Sequence, residues 1–264
     1  MKVSIITITY NSEKTLRDTM ESVLIQSYPD IEYIIKDGGS KDGTMDIVHE
    51  FEPKFSGRLK YVSAPDAGIY DAMNKGIELA TGDIIGIINS DDYLALPNSI
   101  DKIVEGFLSH DADAVYGYTK CISQDNPNVI LEASNSKYFK PWMMRGGYQL
   151  SHPSFYCKKD LYAKYGLFKT KYRIAADFDL LVRLILINKI KLHYIPAEIA
   201  TFRMGGASSN GMNSFKTMYF EQRQILKENG VKTNAFLFML RYAFKVFINA
   251  YTRFKYNILK LEYK

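Results

Sequence analysis

The sequence predicts an α/β fold with a central, mostly parallel sheet and helices on both of its faces. Two observations predict it. Short β-branched runs alternate with helical-period segments through the first ninety residues. The resulting order, β-α-β-α-β-α-β, closes through right-handed crossovers, and those make neighbouring strands parallel.

The elements follow one another without long gaps. Val3–Thr9 reads as a buried strand, and Asn11 or Ser12 can cap a helix that carries Leu16, Met20, Val23 and Leu24 on one face. A second strand covers 31–36 and is broken by Gly38-Gly39-Ser40 and Asp42-Gly43. A helix through Met45, Ile47, Val48 and Phe51 leads to a third strand, Leu59–Ser63. Ile69, Met73, Ile77 and Ala80 share a helical face, Thr81-Gly82 closes that helix, and 83–88 is a fourth strand. Further on, 114–119, 129–132, 192–195 and 199–202 are strand-like. Residues 134–150 form an aromatic, Gly-containing loop, and Asp177 can cap a helix through Phe178, Leu181, Val182 and Ile185.

Composition sets the outer limits. A chain of 264 residues, 47% hydrophobic, suits one sizeable core. Cys121 and Cys157 are the only cysteines, so no disulfide framework or CxxC metal site is expected, which fits a reducing, cytoplasmic setting. The N-terminus does not read as a signal peptide, and no uncharged apolar run reaches membrane-spanning length. Charge is uneven. Residues 216–264 hold ten Lys/Arg and three Asp/Glu, a balance of +7, so the preceding body is at −2 against a whole-chain net of +5. That argues against a nucleic-acid-binding body. Residues 1–215 are expected to form one domain, with a nucleotide-binding half over 1–120 and an acceptor half over 121–215. Residues 216–264 are expected to form a basic, aromatic-rich helical appendage.

In an open parallel sheet, ligands bind where the strands' carboxyl ends emerge. The groups that follow the first four strands are Thr9-Tyr10-Asn11, Asp37, Asp66 and the pair Asp91-Asp92. The loop after the first strand has no glycine, so it is neither a dinucleotide fingerprint nor a P-loop. Adjacent carboxylates beside a diphosphate need a cation between them, and Mg²⁺ or Mn²⁺ supplies one.

Four motifs in order resemble the family 2 inverting glycosyltransferases of GT-A fold. These are Val3 through Asn11, Asp37-Gly38-Gly39-Ser40-Lys41-Asp42-Gly43-Thr44, Asp66-Ala67-Gly68-Ile69-Tyr70-Asp71-Ala72-Met73-Asn74-Lys75-Gly76, and Asn89-Ser90-Asp91-Asp92. The resemblance is strong over 1–120, looser to about 210 and absent beyond. It implies that Thr9, Tyr10 and Asp37 hold the nucleobase and ribose, commonly of uridine, that Asp66 lines the same pocket and that Lys75 reaches the diphosphate. It further implies that Asp91 contacts ribose or donor sugar and that Asp92 ligates the metal. Asn89 stands where the family often has an acid. Ala175-Ala176-Asp177-Phe178-Asp179 resembles the family's Glu-Asp segment, which makes Asp177 the catalytic base and places Ala176 where the family has Glu.

Other positions stay open between function and structure. His152 completes the metal shell, touches the acceptor, or is a satisfied structural histidine. Arg203, Gly205 and Gly206 resemble a loop that closes near the diphosphate, and Trp142 either stacks on a sugar or anchors its loop. Residues 235–261 carry Arg241, Lys245, Asn249, Arg253 and Lys260 near helical spacing on an apolar background. That pattern suits an anionic membrane interface, packing on the body, or a second subunit. The expected activity is transfer of a sugar from a nucleotide-sugar, a UDP-sugar first, to a saccharide or lipid-linked acceptor in bacterial surface polysaccharide synthesis. The competing readings are a nucleotidyltransferase of the sugar-phosphate class and a non-catalytic nucleotide-sugar-binding scaffold.

Overall fold

The computed structural model describes residues 1–124, 126, 128–134, 136–204 and 211–254. Strands β1 (Val3–Thr9), β2 (Ile31–Asp37), β3 (Leu59–Ser63) and β4 (Ile84–Ile87) alternate with helices α1 (Leu16–Leu24), α2 (Thr44–Phe51) and α3 (Ile69–Leu79), as the periodicity predicts. There follow β5 (Tyr93–Leu94), α4 (Ser99–His110), β6 (Ala114–Ile122), β7 (Ile130–Ala133), β8 (Phe155–Lys158), α5 (Asp160–Tyr165), α6 (Ala176–Leu181), β9 (Leu192–Arg203), α7 (Gly211–Glu228) and α8 (Ala235–Arg253).

β1 pairs in parallel with β2 on one side and β4 on the other, and β2 pairs in parallel with β3. The chain therefore steps outward from β1 through β3, then returns to β1's opposite flank. Beyond β4 the sheet is mixed. β8 runs antiparallel to β4 and β6 antiparallel to β8, while β9 is parallel to β6 and β5 is antiparallel to β9. The full order is β3-β2-β1-β4-β8-β6-β9-β5, with β7 attached to β6. The two strand-like runs at 192–195 and 199–202 are one strand, β9. β4 and β8 meet at Gly86 and Tyr156. A Cβ at Gly86 would lie 1.9 Å from Tyr156 Cε1, so only glycine lets the ring lie across the strand there.

The period of two sorts side chains onto two cores. Val3 and Ile5 pack with Leu16, Met20, Val48, Phe51 and Ile103, under α1, α2 and α4. Ile6 and Ile8 pack on the other face with Met73, Ile77, Phe178 and Leu184. Ile225, Leu226 and Phe238, from the basic segment that begins at 216, are fully buried in that second core. Gly76 brings α3 close onto β1, since a Cβ there would be 2.5 Å from Ile6 Cγ2. The side-chain cap expected from Asn11 or Ser12 does not form. Asn11 Oδ1 instead accepts from the Lys41 amide, the Ser12 hydroxyl faces that of Ser90, and the Ser12 carbonyl accepts from the first amides of α1. Among the described residues no helix is long and apolar enough to cross a membrane.

At the amino edge of the strands one buried carboxylate ties β1, β2 and the α3–β4 turn. Glu32 accepts from the Ser4 hydroxyl (2.7 Å), the Thr81 amide (2.7 Å), the Thr81 hydroxyl (2.8 Å) and Lys60 Nζ (2.6 Å). Burial pushes this carboxyl up, but the donors outweigh it and hold the group well below the usual carboxylate range. Glu32→Ala is expected to lower the unfolding free energy by about 2 kcal/mol in urea melts at neutral pH, because buried donors lose their acceptor while Lys60 stays solvated. In the wild type this contribution, present above the ordinary carboxylate pKa, is lost as the pH falls through the depressed one.

Candidate active site at the carboxyl edge of the sheet

The strand order reverses at β1, between the end of β1 and the end of β4, the position where open α/β sheets bind ligands. The Ser12 and Ser90 hydroxyls, 2.8 Å apart, join the two loops there. Strand polarity brings later segments to the same edge. β8 is antiparallel to β4, so the 3-10 turn His152–Ser154 that precedes it emerges beside the end of β4. β6 and β9 both finish on this edge, which delivers Arg203.

On the β1–β2–β3 side, the structure brings Thr9, Tyr10, Asp37 and Asp66 together. Thr9 pairs in register with Asp37, and its buried Oγ1 has no partner. Tyr10 is 63% exposed. Gly38 is the floor between Tyr10 and Asp66: a Cβ there would stand 3.1 Å from Asp66 Oδ2 and 3.2 Å from Tyr10 Cδ2. Asp37 is fully buried and shapes its own loop. Its carboxylate accepts from the Gly39 and Ser40 amides (3.0 Å each) and from the Ser40 and Ser63 hydroxyls (2.5 Å each). Burial raises this carboxyl, but those four donors bring it below its ordinary value. Asp66 keeps more room. Oδ1 accepts from the Gly68 amide, and Oδ2 lies 3.4 Å from Lys36 Nζ, a buried ammonium also held by the Asp37 and Ala64 carbonyls. Lys75 pairs with Asp71 one turn away at 2.8 Å.

On the β4 side, Asp91 and Asp92 are both desolvated, and both carboxyls are pushed upward. Burial is the larger cause, and Asp92 also feels the charge of Asp91. Asp92 is 3% exposed and accepts from Asn89 Nδ2 at 3.1 Å and from the Arg203 amide, whereas Asp91 is half-buried. Asn89 Oδ1 is buried without a partner. The Arg203 guanidinium reaches the Asp91 carbonyl (3.2 Å), pairs with Asp18 and lies over the Tyr93 ring. His152 Nε2 is buried and unpartnered, and burial moves its pKa down to about 4, so it is neutral at physiological pH. Among the described residues no three His, Cys, Asp or Glu side chains form a group that could hold a metal ion. Trp142 is 63% exposed on the 3-10 turn Pro141–Gly146, and Gly205 and Gly206 lie outside the described residues.

Asp177 is the second residue of α6, not its cap. The cap position is Ala175, which has no side-chain bond to offer. Two side chains from elsewhere take over that work. Glu221 of α7 accepts from the amides of Arg173, Ile174 and Ala175 at 2.7, 3.0 and 2.9 Å. The buried Tyr70 hydroxyl of α3 donates to the Ile174 carbonyl and faces the amides of Ala176 and Asp177. One turn on from Tyr70, Asn74 binds both the amide and the carbonyl of Phe168. Asp177 accepts from Gln149 Nε2 and the Phe178 amide, each at 2.8 Å, and burial raises its carboxyl to about 6. Asp179 points elsewhere and is neutralised by Lys169 and Arg183. Tyr70 and Asn74 stand inside the quoted 66–76 motif, so a signal for them existed. Gln149 and Glu221 have none in their local sequence.

The acidic pair costs stability while nothing cationic offsets it fully. Asp91→Asn is expected to raise the thermal midpoint of the metal-free protein by about 2–4 °C at pH 8. An unchanged or lower midpoint in scanning calorimetry would show that the pair carries no such cost.

Comparisons with known proteins identify the family and the fold. The family model "Glycosyl transferase family 2" matches residues 4–161. A PGL/p-HBAD biosynthesis glycosyltransferase of Mycobacterium bovis is 28% identical over 211 residues, 78% of each chain. An uncharacterized glycosyltransferase of Mycobacterium tuberculosis is 31% identical over 208 residues, 77% of this chain and 76% of its own. Among solved structures, Staphylococcus aureus TarS 1–349 with UDP-GlcNAc aligns at a TM-score of 0.67 with 20% identity, over 86% of this chain and 71% of that one. A Pyrobaculum calidifontis mannosyltransferase in complex with GDP-Man and Mn²⁺ aligns at 0.60 with 17% identity, over 99% and 88%. The sheet is the GT-A type that these motifs imply, and the chain belongs to glycosyl transferase family 2.

Proposed function

We propose that this glycosyltransferase moves a sugar from a UDP-sugar to an acceptor hydroxyl by direct displacement with inversion, in the synthesis of a bacterial surface saccharide. The observation that carries the reading is Asp177. It is a desolvated carboxylate with its pKa raised to about 6, held on a helix that Tyr70 ties to the donor-binding half. A general base works best with a pKa near the operating pH. The acceptor hydroxyl passes its proton to Asp177 as its oxygen bonds to the anomeric carbon. The bond from that carbon to the diphosphate breaks on the opposite face, and the nucleoside diphosphate leaves.

Tyr10, Thr9 and Asp66 are the groups for the nucleoside. Tyr10 offers an exposed ring, Thr9 Oγ1 is without a partner, and Asp66 can accept a uracil N–H. Asp37 supports them by fixing the loop. The TarS and Pyrobaculum complexes, with UDP-GlcNAc and with GDP-Man and Mn²⁺, support a nucleotide-sugar donor as a class.

The residues at the end of β4 fit a divalent cation, Mn²⁺ or Mg²⁺. Two desolvated carboxylates stand side by side, and the buried Asn89 Oδ1 lacks a donor, which is oxygen chemistry suited to a hard cation. Asp91, the more open of the pair, and Asn89 would hold it, with Asp92 fixing Asn89 from behind. When bound, the cation supplies positive charge against the diphosphate. Arg203 and Asp18 brace this turn.

The acceptor side is built by α6, α7 and α8. α8 exposes Phe236, Met239, Leu240, Val246 and Tyr251, and Phe254 directly after it is exposed as well. With the basic residues of the same segment, this supports peripheral contact with an anionic membrane that presents a lipid-linked acceptor.

Calorimetric titration of UDP is expected to show binding with Mn²⁺ that EDTA abolishes and Asp91→Ala weakens; metal-independent binding would sink the cation assignment. Asp177→Asn should keep UDP binding and lower transfer by about 100- to 10,000-fold. Because Asp177 acts in its ionised form, wild-type transfer should fall as the pH drops through about 6. Co-sedimentation with phosphatidylserine-containing vesicles, and not with neutral ones, should be lost in Phe236→Ser/Met239→Ser. Equal recovery with both lipids would remove the membrane reading.

A further inference from the structure

A chain of hydrogen bonds runs from the C-terminal helices to Asp177. Arg241 Nη1 of α8 donates to Gln222 Oε1 of α7 at 2.8 Å. Gln222 Nε2 faces Gln149 Oε1 at 3.4 Å and the Gly147 carbonyl at 3.3 Å. Gln149 Nε2 donates to Asp177 Oδ2 at 2.8 Å. Each amide could in principle be turned about, but the two ends of the chain forbid it. A guanidinium only donates and an ionised carboxylate only accepts. Gln222 must therefore show its oxygen to Arg241 and its NH₂ to Gln149, and Gln149 must show its NH₂ to Asp177.

The surroundings are built around this chain. Gln222 is fully buried. Gly147 has φ +80°, and a Cβ there would stand 2.6 Å from Arg241 Nη1 and 2.7 Å from Gln222 Oε1, so glycine clears the passage. The Phe238 ring closes it from α8, 2.5 Å from the same point.

We propose that Gln149 is a positioning residue for the base, with its amide locked by Gln222 and Arg241, so that α7 and α8 are part of the acceptor site. This rests on Asp177 being the base. The relay holds one carboxylate oxygen by a single N–H, and the Phe178 amide holds the other. With the lock removed, the oxygen end of the Gln149 amide is no longer held, the side chain swings and the N–H to Asp177 is weakened, which withdraws support from the ionised form. The other groups that bear on Asp177 are Glu221, which raises its pKa, and Tyr70, whose own ionisation is pushed far above neutrality. Neither belongs to the relay.

The test is direct titration of Asp177 by carbon NMR in protein labelled at the aspartate carboxyl carbon, its signal identified by its absence in Asp177→Asn. Gln149→Leu should move the midpoint upward by about one pH unit, the loss of one hydrogen bond to a charged group. Arg241→Met should move it in the same direction, and the Gln149→Leu/Arg241→Met double variant should match Gln149→Leu alone, because one acts through the other. Arg241 lies at the half-buried end of the chain, so its variant serves where a change at Gln222 unfolds the protein. UDP binding reports an intact donor half throughout. A midpoint that stays at the wild-type value in both single variants, or shifts that add in the double variant, overturns the relay. Failure of the base assignment reads differently: Asp177→Asn would then retain transfer while the titration shifts persist.

Discussion

The structure depends on β1 having parallel partners on both sides. β2 and β3 follow on one flank and β4 on the other, so the chain must reverse direction at β1. The chain leaves β1 and reaches β4 on opposite sides of this reversal, the place where open α/β sheets hold ligands. All strand-end groups in the parallel half lie on one edge because every strand there points the same way. The antiparallel β8 then lets a later stretch of chain enter the same edge from its amino-terminal side. One pairing choice thus assembles residues from three distant parts of the sequence.

Charge is handled in opposite ways at different points of that edge. Asp37 is filled by amides and hydroxyls and lies below its ordinary pKa, so it fixes a loop and remains ionised. Asp91, Asp92 and Asp177 are desolvated and lie above theirs. Raised pKa values mean that the fold bears a cost for keeping these groups ionised, the usual mark of carboxylates placed for a ligand or a proton. Asp179, two residues from Asp177, shows the contrast. It is fully buried but paired with two cations, and it serves structure.

Distant parts of the chain meet at the segment that carries Asp177. α3 lies between β3 and β4, and its Tyr70 and Asn74 grip the segment 168–177. Glu221 grips the same segment from α7. Asp177 is therefore positioned from both sides, although its own helix lacks a capping side chain. This arrangement gives the 66–76 motif a physical content: Gly76 brings α3 down onto β1, and Tyr70 and Asn74 then reach the segment of Asp177 at a fixed height.

Periodicity and turn chemistry were enough to place β1 through β4 and α1 through α3, since each element there buries a face whose pattern is complete within a few residues. The same pattern was present in α4, where Ile100, Ile103, Val104 and Phe107 are buried at helical spacing. β8 has four residues directly after a Pro-containing turn, too few to show a period, and only its pairing with β4 and β6 makes it a strand. Strand-end acids could be found from sequence because topology makes position along a strand equivalent to position at the edge. Asp177 could be marked by its motif, but Gln149, Gln222, Glu221 and Arg241 could not. What distinguishes them is the partner each meets across the core, and hydrogen-bond partners separated by dozens of residues leave no local trace in the chain. The sequence by itself determined the layer order, the acidic edge and the chemistry available there. Tertiary packing alone decided which of those acids are spent on the loop, which are left desolvated, and that the C-terminal helices reach toward Asp177.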